Sequence, residues 1–314
     1  MKIVILDGHG ANPGDLDWHA FEAIGDVTVY ESTAPEDTVA HMADAPVVIT
    51  NKTVLDADII RQAKHLRYIG ITATGYNVVD VKAAKERGIP VCNVPAYSTP
   101  AVAQHVFALL LELTNFVGYH HQAVQEGRWV SCPNFCFWDK QLMELNGKTM
   151  GIVGNGQIGR AVSRIAEAMG MRVLCCSKHD RPGQVPLETV LRESDVISLH
   201  CPLFADNTGM INKDTIAMMK DGVILINTAR GALINEQDLR DALESGKVAA
   251  AGVDVVSVEP MRADNPLLGA PNCVITPHIA WAPTETRGRL LEIAANNIRA
   301  WMDGHTINDV TASV

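Results

Sequence analysis

The stretch Gly154-Asn155-Gly156-Gln157-Ile158-Gly159 constrains this chain more than any other. A strand-like run, 149–153, precedes it, and a helical pattern over 158–169 follows, ended by Gly170 before another strand. Three glycines at this spacing between a strand and a helix have a physical use. The first permits the tight bend. The second lets a pyrophosphate approach where a β-carbon would collide with it, and the third lets the helix pack close to the sheet. The helix N-terminus at Gln157 and Ile158 then offers free N–H groups and a positive dipole end to phosphates. The glycine spacing alone is a weak pattern, but placed between a strand and a helix it predicts a dinucleotide-binding turn.

Two alternating series surround this turn. In the first hundred residues, strands are expected at 3–6, 27–30, 47–50, 68–71 and 91–93, with helical patterns between them such as 56–63 and 80–87. Gly88 stops the latter, with Pro90 just beyond. One long helix is expected from 99 to 125, capped by Thr99 with Pro100 in its first turn. An irregular aromatic stretch, 129–138, reads as a loop or arm that packs on something such as another subunit. From Lys148 a second series follows, with strands at 149–153, 172–176, 196–200, 223–227, 250–254 and 274–276 and helices at 158–169, 213–219 and 236–244. The tail, 284–302, reads as one amphipathic helix. Strand–helix alternation implies an α/β fold, with parallel sheets covered on both faces. Six strands with intervening helices make a complete doubly wound sheet.

A chain of 314 residues suits two domains. Its net charge is −10 with dispersed basic residues, where a phosphate-backbone binder would show a basic stripe. Nucleic acid is therefore not an expected partner. The most apolar longer stretch, 101–113, is interrupted by Gln104, His105 and Glu112 and is too short to span a bilayer. The chain opens directly on a strand, Lys2-Ile3-Val4-Ile5-Leu6, without the pattern of a secretory leader. The expectation is a cytoplasmic protein with no membrane partner. Among the seven cysteines, Cys92, Cys175, Cys176, Cys201 and Cys273 read as small buried hydrophobes in a reducing compartment. Cys132 and Cys136 lack a second Cys/His pair at ligand spacing, so no metal is expected.

The end of the strand after the glycine turn bears on which dinucleotide binds. An acidic residue there would hold both ribose hydroxyls of NAD and repel a 2′-phosphate. Here the chain reads Cys176-Ser177-Lys178-His179-Asp180-Arg181. Ser177 is not acidic, and Lys178 and Arg181 could face a 2′-phosphate, while Asp180 is the counter-candidate. The reading is NAD(P)(H), leaning to NADP(H).

Three later strands end in polar segments: Asn227-Thr228-Ala229-Arg230-Gly231, Asp254-Val255-Val256-Ser257-Val258-Glu259-Pro260 and Thr276-Pro277-His278-Ile279-Ala280-Trp281. All three should lie at the carboxyl edge of one sheet, where ligands bind in open α/β folds. A guanidinium there can grip a carboxylate with two bonds and polarise a carbonyl. A His can exchange a proton with that oxygen, and a neighbouring Glu orients the ring and favours its charged form. Taken singly, each of these residues is more often a surface charge, a solvated turn or a structural histidine. Together, Arg230, Glu259 and His278 form a candidate catalytic set.

With Ser198-Leu199-His200-Cys201-Pro202-Leu203 added to these segments and the glycine turn, the chain resembles the D-isomer-specific 2-hydroxyacid dehydrogenases along nearly its whole length. The resemblance implies two doubly wound parallel-sheet domains. A Rossmann cofactor domain, 100–283, is inserted into a flavodoxin-like substrate domain, 1–99 plus 284–314. It implies that Arg230 binds substrate carboxylate and carbonyl and that Glu259 and His278 are the acid/base couple. Asp254 would touch the nicotinamide end, and the backbone of Thr72-Ala73-Thr74-Gly75 would hold the substrate carboxylate. His200, Cys201, Pro202, Thr228, Ala229 and Ala280 fall among the implied cofactor contacts, together with His278. A homodimer through the cofactor domain is also implied.

Two departures stand out. Val256 occupies a position often aromatic in that family, and Ser177 one that is often acidic. The segments 278–282 and 135–139 look like the hydroxypyruvate reductase/glycerate dehydrogenase branch. That points to hydroxypyruvate, with glyoxylate second, reduced to the D-2-hydroxy acid. A larger branched or aromatic 2-oxo acid is the alternative, with Trp138 or Trp281 either narrowing the pocket or simply packing. A dinucleotide-sensing regulatory protein on the same fold is the rival from another class, and the compact ends of the chain speak against it.

Overall fold

A computed structural model describes residues 1–178 and 182–313. Asp180 and Arg181, the cofactor-loop candidates, lie outside the described residues. The chain divides into two compact units, Met1–Ser98 with Trp281–Val314, and Thr99–Ala280.

The first unit carries five parallel strands: β1 (Lys2–Ile5), β2 (Asp26–Val29), β3 (Val47–Thr50), β4 (Tyr68–Ile71) and β5 (Val91–Cys92), in the order β2-β1-β3-β4-β5. This is the flavodoxin-like order. β3 and β4 are buried at every position, as strands covered on both faces must be. Alternation along β1 divides the core. Ile3 and Ile5 face one cluster with Phe21, Leu290 and Ile298, while Val4 and Leu6 face another with Ile60, Leu66 and Ile89. The final helix, Thr284–Met302, supplies Leu290, Leu291, Ala294 and Ile298 to the first cluster, which returns the chain's end to this unit. Its buried Arg287 makes a two-bond pair with Asp15, at 2.7 and 2.6 Å. Trp281 packs on the same cluster, so its observed role is packing.

The second unit carries six parallel strands: β6 (Thr149–Val153), β7 (Arg172–Cys176), β8 (Val196–Leu199), β9 (Val223–Asn227), β10 (Val248–Val253) and β11 (Cys273–Ile275). Their order is β11-β10-β9-β8-β6-β7. The chain leaves β6 for β7 on one side and returns to β8 on the other, so the switch point lies between the ends of β6 and β8. Ile224 and Ile226 face one apolar cluster and Leu225 the other, again the signature of a doubly covered sheet.

One expectation is corrected. The single helix over 99–125 is two helices, Thr99–Asn115 and Val117–Gln125, bent by 56°. Phe116 at the break is left-handed, with φ of 50°. The Glu112 carboxylate accepts the Gly118 N–H at 3.1 Å and satisfies a donor at the new helix start. Hydrophobic periodicity runs across such a break because it does not report one residue's φ. No single helix among the described residues is long and apolar enough to cross a membrane; that pair reaches the length only across its bend.

Candidate active site

The glycine turn is built as its spacing requires. Gly154 has φ of 106°, and a β-carbon on it would lie 2.5 Å from the His200 carbonyl carbon and 2.6 Å from the Cys201 nitrogen. The loops after β6 and β8 therefore touch at a glycine. At Gly159 a β-carbon would lie 2.1 Å from the Gly154 oxygen, so the helix Gln157–Ala168 sits directly on its own loop. Gly156 is different: a β-carbon there meets nothing within 4 Å. No side chain caps this helix, and its first inward bond runs from Arg160 N to Gly156 O at 3.0 Å. The N–H groups of Gln157, Ile158 and Gly159 are thus not claimed by the helix itself. A cradle that a side chain at 156 would fill, facing uncapped amides, fits a phosphate group.

Orphaned polar atoms occur elsewhere in this unit. Thr228 Oγ1, after β9, and Gln184 Nε2, beyond β7, are buried without a hydrogen-bond partner among the described residues. Ser177 donates its hydroxyl to Gln184 Oε1 at 2.8 Å, which leaves the amide nitrogen as the unsatisfied end. Lys178 Nζ pairs with Asp206 at 2.7 Å and lies 5.1 Å from the centre of the Phe204 ring. His200 is half-buried. Burial pushes its imidazole down to about 3, so the ring is neutral at ordinary pH, and its Nε2 lies 2.8 Å from Ser198 Oγ. Burial likewise raises the Cys201 thiol and disfavours the thiolate. Pro202 is exposed, and its carbonyl accepts from Asn207.

β9, β10 and β11 are neighbours in register, with Val253 opposite both Asn227 and Ile275. Their polar ends are therefore level at one sheet edge. Buried Asn227 shapes the first end: its Oδ1 accepts the Ala229 N–H at 3.0 Å and its Nδ2 donates to Arg230 O at 2.9 Å. Arg230 is exposed, and its guanidinium donates back to Ala229 O at 2.7 Å. At Gly231 a β-carbon would lie 1.9 Å from the Val256 carbonyl carbon. The absence of a side chain there lets the Arg230 loop lie against the loop that carries Glu259.

Glu259 uses both carboxylate oxygens. Oε1 accepts the Val256 N–H at 3.2 Å, and Oε2 lies 2.6 Å from His278 Nδ1. A carboxylate cannot donate, so His278 carries its proton on Nδ1 in this pair and turns Nε2 away from Glu259. Both side chains are about one-third exposed, accessible yet partly shielded. His278 has a left-handed backbone, with φ of 56°. Such a conformation in a non-glycine residue costs roughly 1–3 kcal/mol and persists only where neighbours impose it.

Asp254 is the neighbour that imposes it. The resemblance implies a contact between this side chain and the nicotinamide; the structure shows the carboxylate's bonds within the chain. It is fully covered and accepts from Thr276 Oγ1 at 2.5 Å, from Ile279 N at 2.9 Å and from Ala280 N at 2.9 Å. Its main-chain oxygen accepts the His278 N–H at 2.8 Å. Burial pushes this carboxyl up, but the bonds from His105, Thr276 and the two amides outweigh that and hold it below the usual carboxylate range.

In the first unit, the Thr72–Gly75 segment follows β4. Asn51 Nδ2 donates to Thr72 O at 2.6 Å, Val94 N to Ala73 O at 3.0 Å and Asn93 Nδ2 to Thr74 O at 2.7 Å. The carbonyls are held on one side, and the N–H groups of Ala73, Thr74 and Gly75 donate to no group among the described residues. Consecutive free amides of this kind suit an anion.

Sequence reasoning missed three supporting residues. Gln184 lies too far past its strand to be seen as a strand-end residue. Glu236 opens the helix Glu236–Ser245 and holds the Glu259 loop through Ser257 N at 2.7 Å, Ser257 Oγ at 2.6 Å and Asn265 Nδ2 at 3.0 Å. His105 reaches Thr276 from the Thr99–Asn115 helix. Each acts through tertiary contact, which spacing does not reveal. No group of three or more potential metal-ligating side chains occurs among the described residues.

Comparison with known proteins follows the same lines. Residues 107–280 match the family described as D-isomer specific 2-hydroxyacid dehydrogenase, NAD binding domain. The chain is 53% identical to a hydroxypyruvate reductase of Blautia hydrogenotrophica, over 99% of both chains. It is 38% identical to a glycerate dehydrogenase of Methylorubrum extorquens, again over 99% of both. Among solved structures it resembles an acyclic imino acid reductase in complex with NADPH and D-arginine, with a TM-score of 0.86, 31% identity and coverage of 99% of this chain and 100% of that one.

Proposed function

Since the chain belongs to the D-isomer-specific 2-hydroxyacid dehydrogenases, a family of oxidoreductases with an NAD-binding domain, we propose that it interconverts a small 2-oxo acid and the D-2-hydroxy acid. Hydroxypyruvate, giving D-glycerate, is the first substrate of this reading and glyoxylate the second. The 2.6 Å bond between Glu259 and His278 Nδ1 carries it. A reduced nicotinamide, when bound, supplies a hydride to the carbonyl carbon. His278 Nε2 then delivers one proton to the carbonyl oxygen, and Glu259 stabilises the imidazolium before transfer and keeps the ring aimed. Arg230 grips the carboxylate and carbonyl and stabilises negative charge developing on the oxygen. Within the first unit, the free amides of Ala73, Thr74 and Gly75 are proposed as a carboxylate-binding segment. On this reading 100–283 is the cofactor domain and 1–99 with 284–314 the substrate domain.

Hydroxypyruvate is supported by the names of the two full-length relatives, one a hydroxypyruvate reductase and the other a glycerate dehydrogenase. The amides of Gln157 and Ile158, Thr228 Oγ1 and the loop at His200-Cys201-Pro202 are the proposed dinucleotide contacts. Ala229, His278 and Ala280 complete them on the nicotinamide side, and the chain's own bonds to Asp254 leave its carboxylate a supporting part there. NADP(H) is favoured because Ser177 is not a carboxylate that would exclude a 2′-phosphate, and Gln184 Nε2 beside it is an unsatisfied donor. The exposed Lys178–Asp206 pair holds that lysine weakly enough for a phosphate to displace the aspartate.

A second copy of the chain is the proposed cover for the arm, which exposes Trp129, Val130, Phe135 and Trp138 close together in sequence. Seven free cysteines suit a reducing cytoplasm.

Consumption of NADH and of NADPH with a panel of 2-oxo acids tests the reading. Turnover with hydroxypyruvate above the branched and aromatic acids is expected. No turnover with any 2-oxo acid would end it, and a strong preference for NADH would end the NADP(H) part alone.

A further inference from the structure

We propose that His105 is a positioning residue for the acid/base pair, acting through Thr276 and Asp254 on the turn that carries His278. The inference rests on the proposed roles of Glu259 and His278 and adds a residue that stands far from them in sequence. His105 Nε2 lies 2.9 Å from Thr276 Oγ1 and 3.4 Å from Asp254 Oδ1. Thr276 has one hydroxyl proton and gives it to Asp254 Oδ1 at 2.5 Å. Its oxygen can therefore only accept from His105, so Nε2 of His105 bears the hydrogen. The chain of donors then has one direction, from His105 to Thr276 to Asp254.

Asp254 passes the constraint on. Its two oxygens hold the amides of Ile279 and Ala280, immediately after His278, and its main-chain oxygen holds the amide of His278 itself. Thr276 lies two residues before His278. The left-handed His278 is thus clamped on both sides by one buried carboxylate, and His105 is the basic side chain that reaches this carboxylate. The anchor is rigid. On the same helix, Ala103, Val106, Leu109 and Leu110 are buried in the core against the sheet. His105 itself is partly covered, with 19% of its side chain exposed.

Removing the His105 donor leaves the part-buried Thr276 hydroxyl oxygen without its donor and the Asp254 clamp free to shift, which loosens the aim of His278. Loss of one such bond corresponds to about a tenfold effect. His105→Ala and His105→Gln should be compared with the wild type in kcat, KM, dinucleotide affinity and the downfield proton resonance of His278 Nδ1. That resonance is assigned by its loss in Glu259→Gln. Gln can restore an N–H donor near the position of Nε2.

The expected result is kcat about tenfold lower in His105→Ala, dinucleotide Kd unchanged within about twofold and substantial recovery in His105→Gln. The resonance should be displaced or broadened in His105→Ala and kept in His105→Gln. Wild-type kcat in His105→Ala, no recovery in His105→Gln or an unmoved resonance would each overturn the proposal. If His105→Ala does not fold, Thr276→Val against Thr276→Ser reads the same relay with the same outcomes. If the wild type turns over no 2-oxo acid, the proposed function has failed, and the resonance alone decides the role of His105.

Discussion

Gly156 and Gly159 lie three residues apart in one motif, yet substituting each with alanine should have opposite consequences. A β-carbon at 156 meets open space and the backbone there is extended, with φ of −79° and ψ of −162°, so Gly156→Ala introduces no clash. Loss of unfolded-chain freedom stabilises such a variant by about 0.4–1 kcal/mol. Alanine is a poorer N-cap than glycine by a similar amount. The two effects offset, and the melting temperature without ligand should move by no more than roughly 2–4 °C. The new methyl stands, however, where a pyrophosphate must approach the amides of Gln157 and Ile158. Loss of one charge-assisted bond costs about 1.5–3 kcal/mol, which raises Kd about 100-fold at the upper end.

Thermal unfolding with and without dinucleotide reads both effects. At a concentration about 100 times the wild-type Kd, binding stabilises by about 2.7 kcal/mol, and the same concentration stabilises the variant by only about 0.4 kcal/mol. Gly159→Ala is the contrast. Its β-carbon would sit 2.1 Å from a backbone oxygen, and overpacking of this kind costs about 1–3 kcal/mol before any ligand is added. A full ligand-induced shift in Gly156→Ala, or an unliganded melt as depressed as that of Gly159→Ala, would show that the open space at 156 is not where the phosphates sit.

Three other outcomes follow from the geometry. His278→Ala should abolish reduction of the 2-oxo acid while dinucleotide affinity by fluorescence titration stays within about threefold of wild type, because its proposed contact is at the nicotinamide end and the phosphate contacts are kept. Arg230→Lys should lower kcat/KM by at least about 100-fold in steady-state assays, since an ammonium cannot reproduce the two-pronged grip. Arg287 holds the Asp15 carboxyl down to about 2 through its side-chain hydrogen bonds, against the opposing effect of desolvation. A depressed carboxyl adds stability above its unfolded value of 3.8 and loses it as pH falls through about 2. Arg287→Leu should therefore melt below wild type at neutral pH, and the gap should narrow between about pH 4 and pH 2 in a series of thermal melts.

Much of the fold is legible in the sequence because covered parallel strands are nearly continuous apolar runs. β6, β7 and β9 begin and end where the pattern places them. The helix break at Phe116 is not legible, since its cause is one left-handed residue and a carboxylate six positions before Gly118. The residues proposed to act are legible because they stand at strand ends: Arg230 after β9, Glu259 after β10, His278 after β11. The residues that hold them there are not. Glu236 and His105 come from helices distant in sequence, and the bonds of Asp254 are seen only in the fold. The resemblance makes Asp254 a cofactor contact, and only the fold shows that three donors from its own chain also make it the clamp of a strained turn. Gly231 is similar: its meaning lies in a loop some twenty-five residues later, which only the fold brings within 2 Å of its missing side chain.

Arg230, Glu259 and His278 are proposed to couple a hydride and a proton on one carbonyl. Reduction of hydroxypyruvate with nicotinamide deuterated on the transferring face tests it most directly, read by mass and by chiral analysis of the product. The wild type should give D-glycerate with one deuterium at C2, and His278→Ala should give none. Glycerate without deuterium at C2, glycerate of the L configuration, or undiminished product from His278→Ala would contradict it.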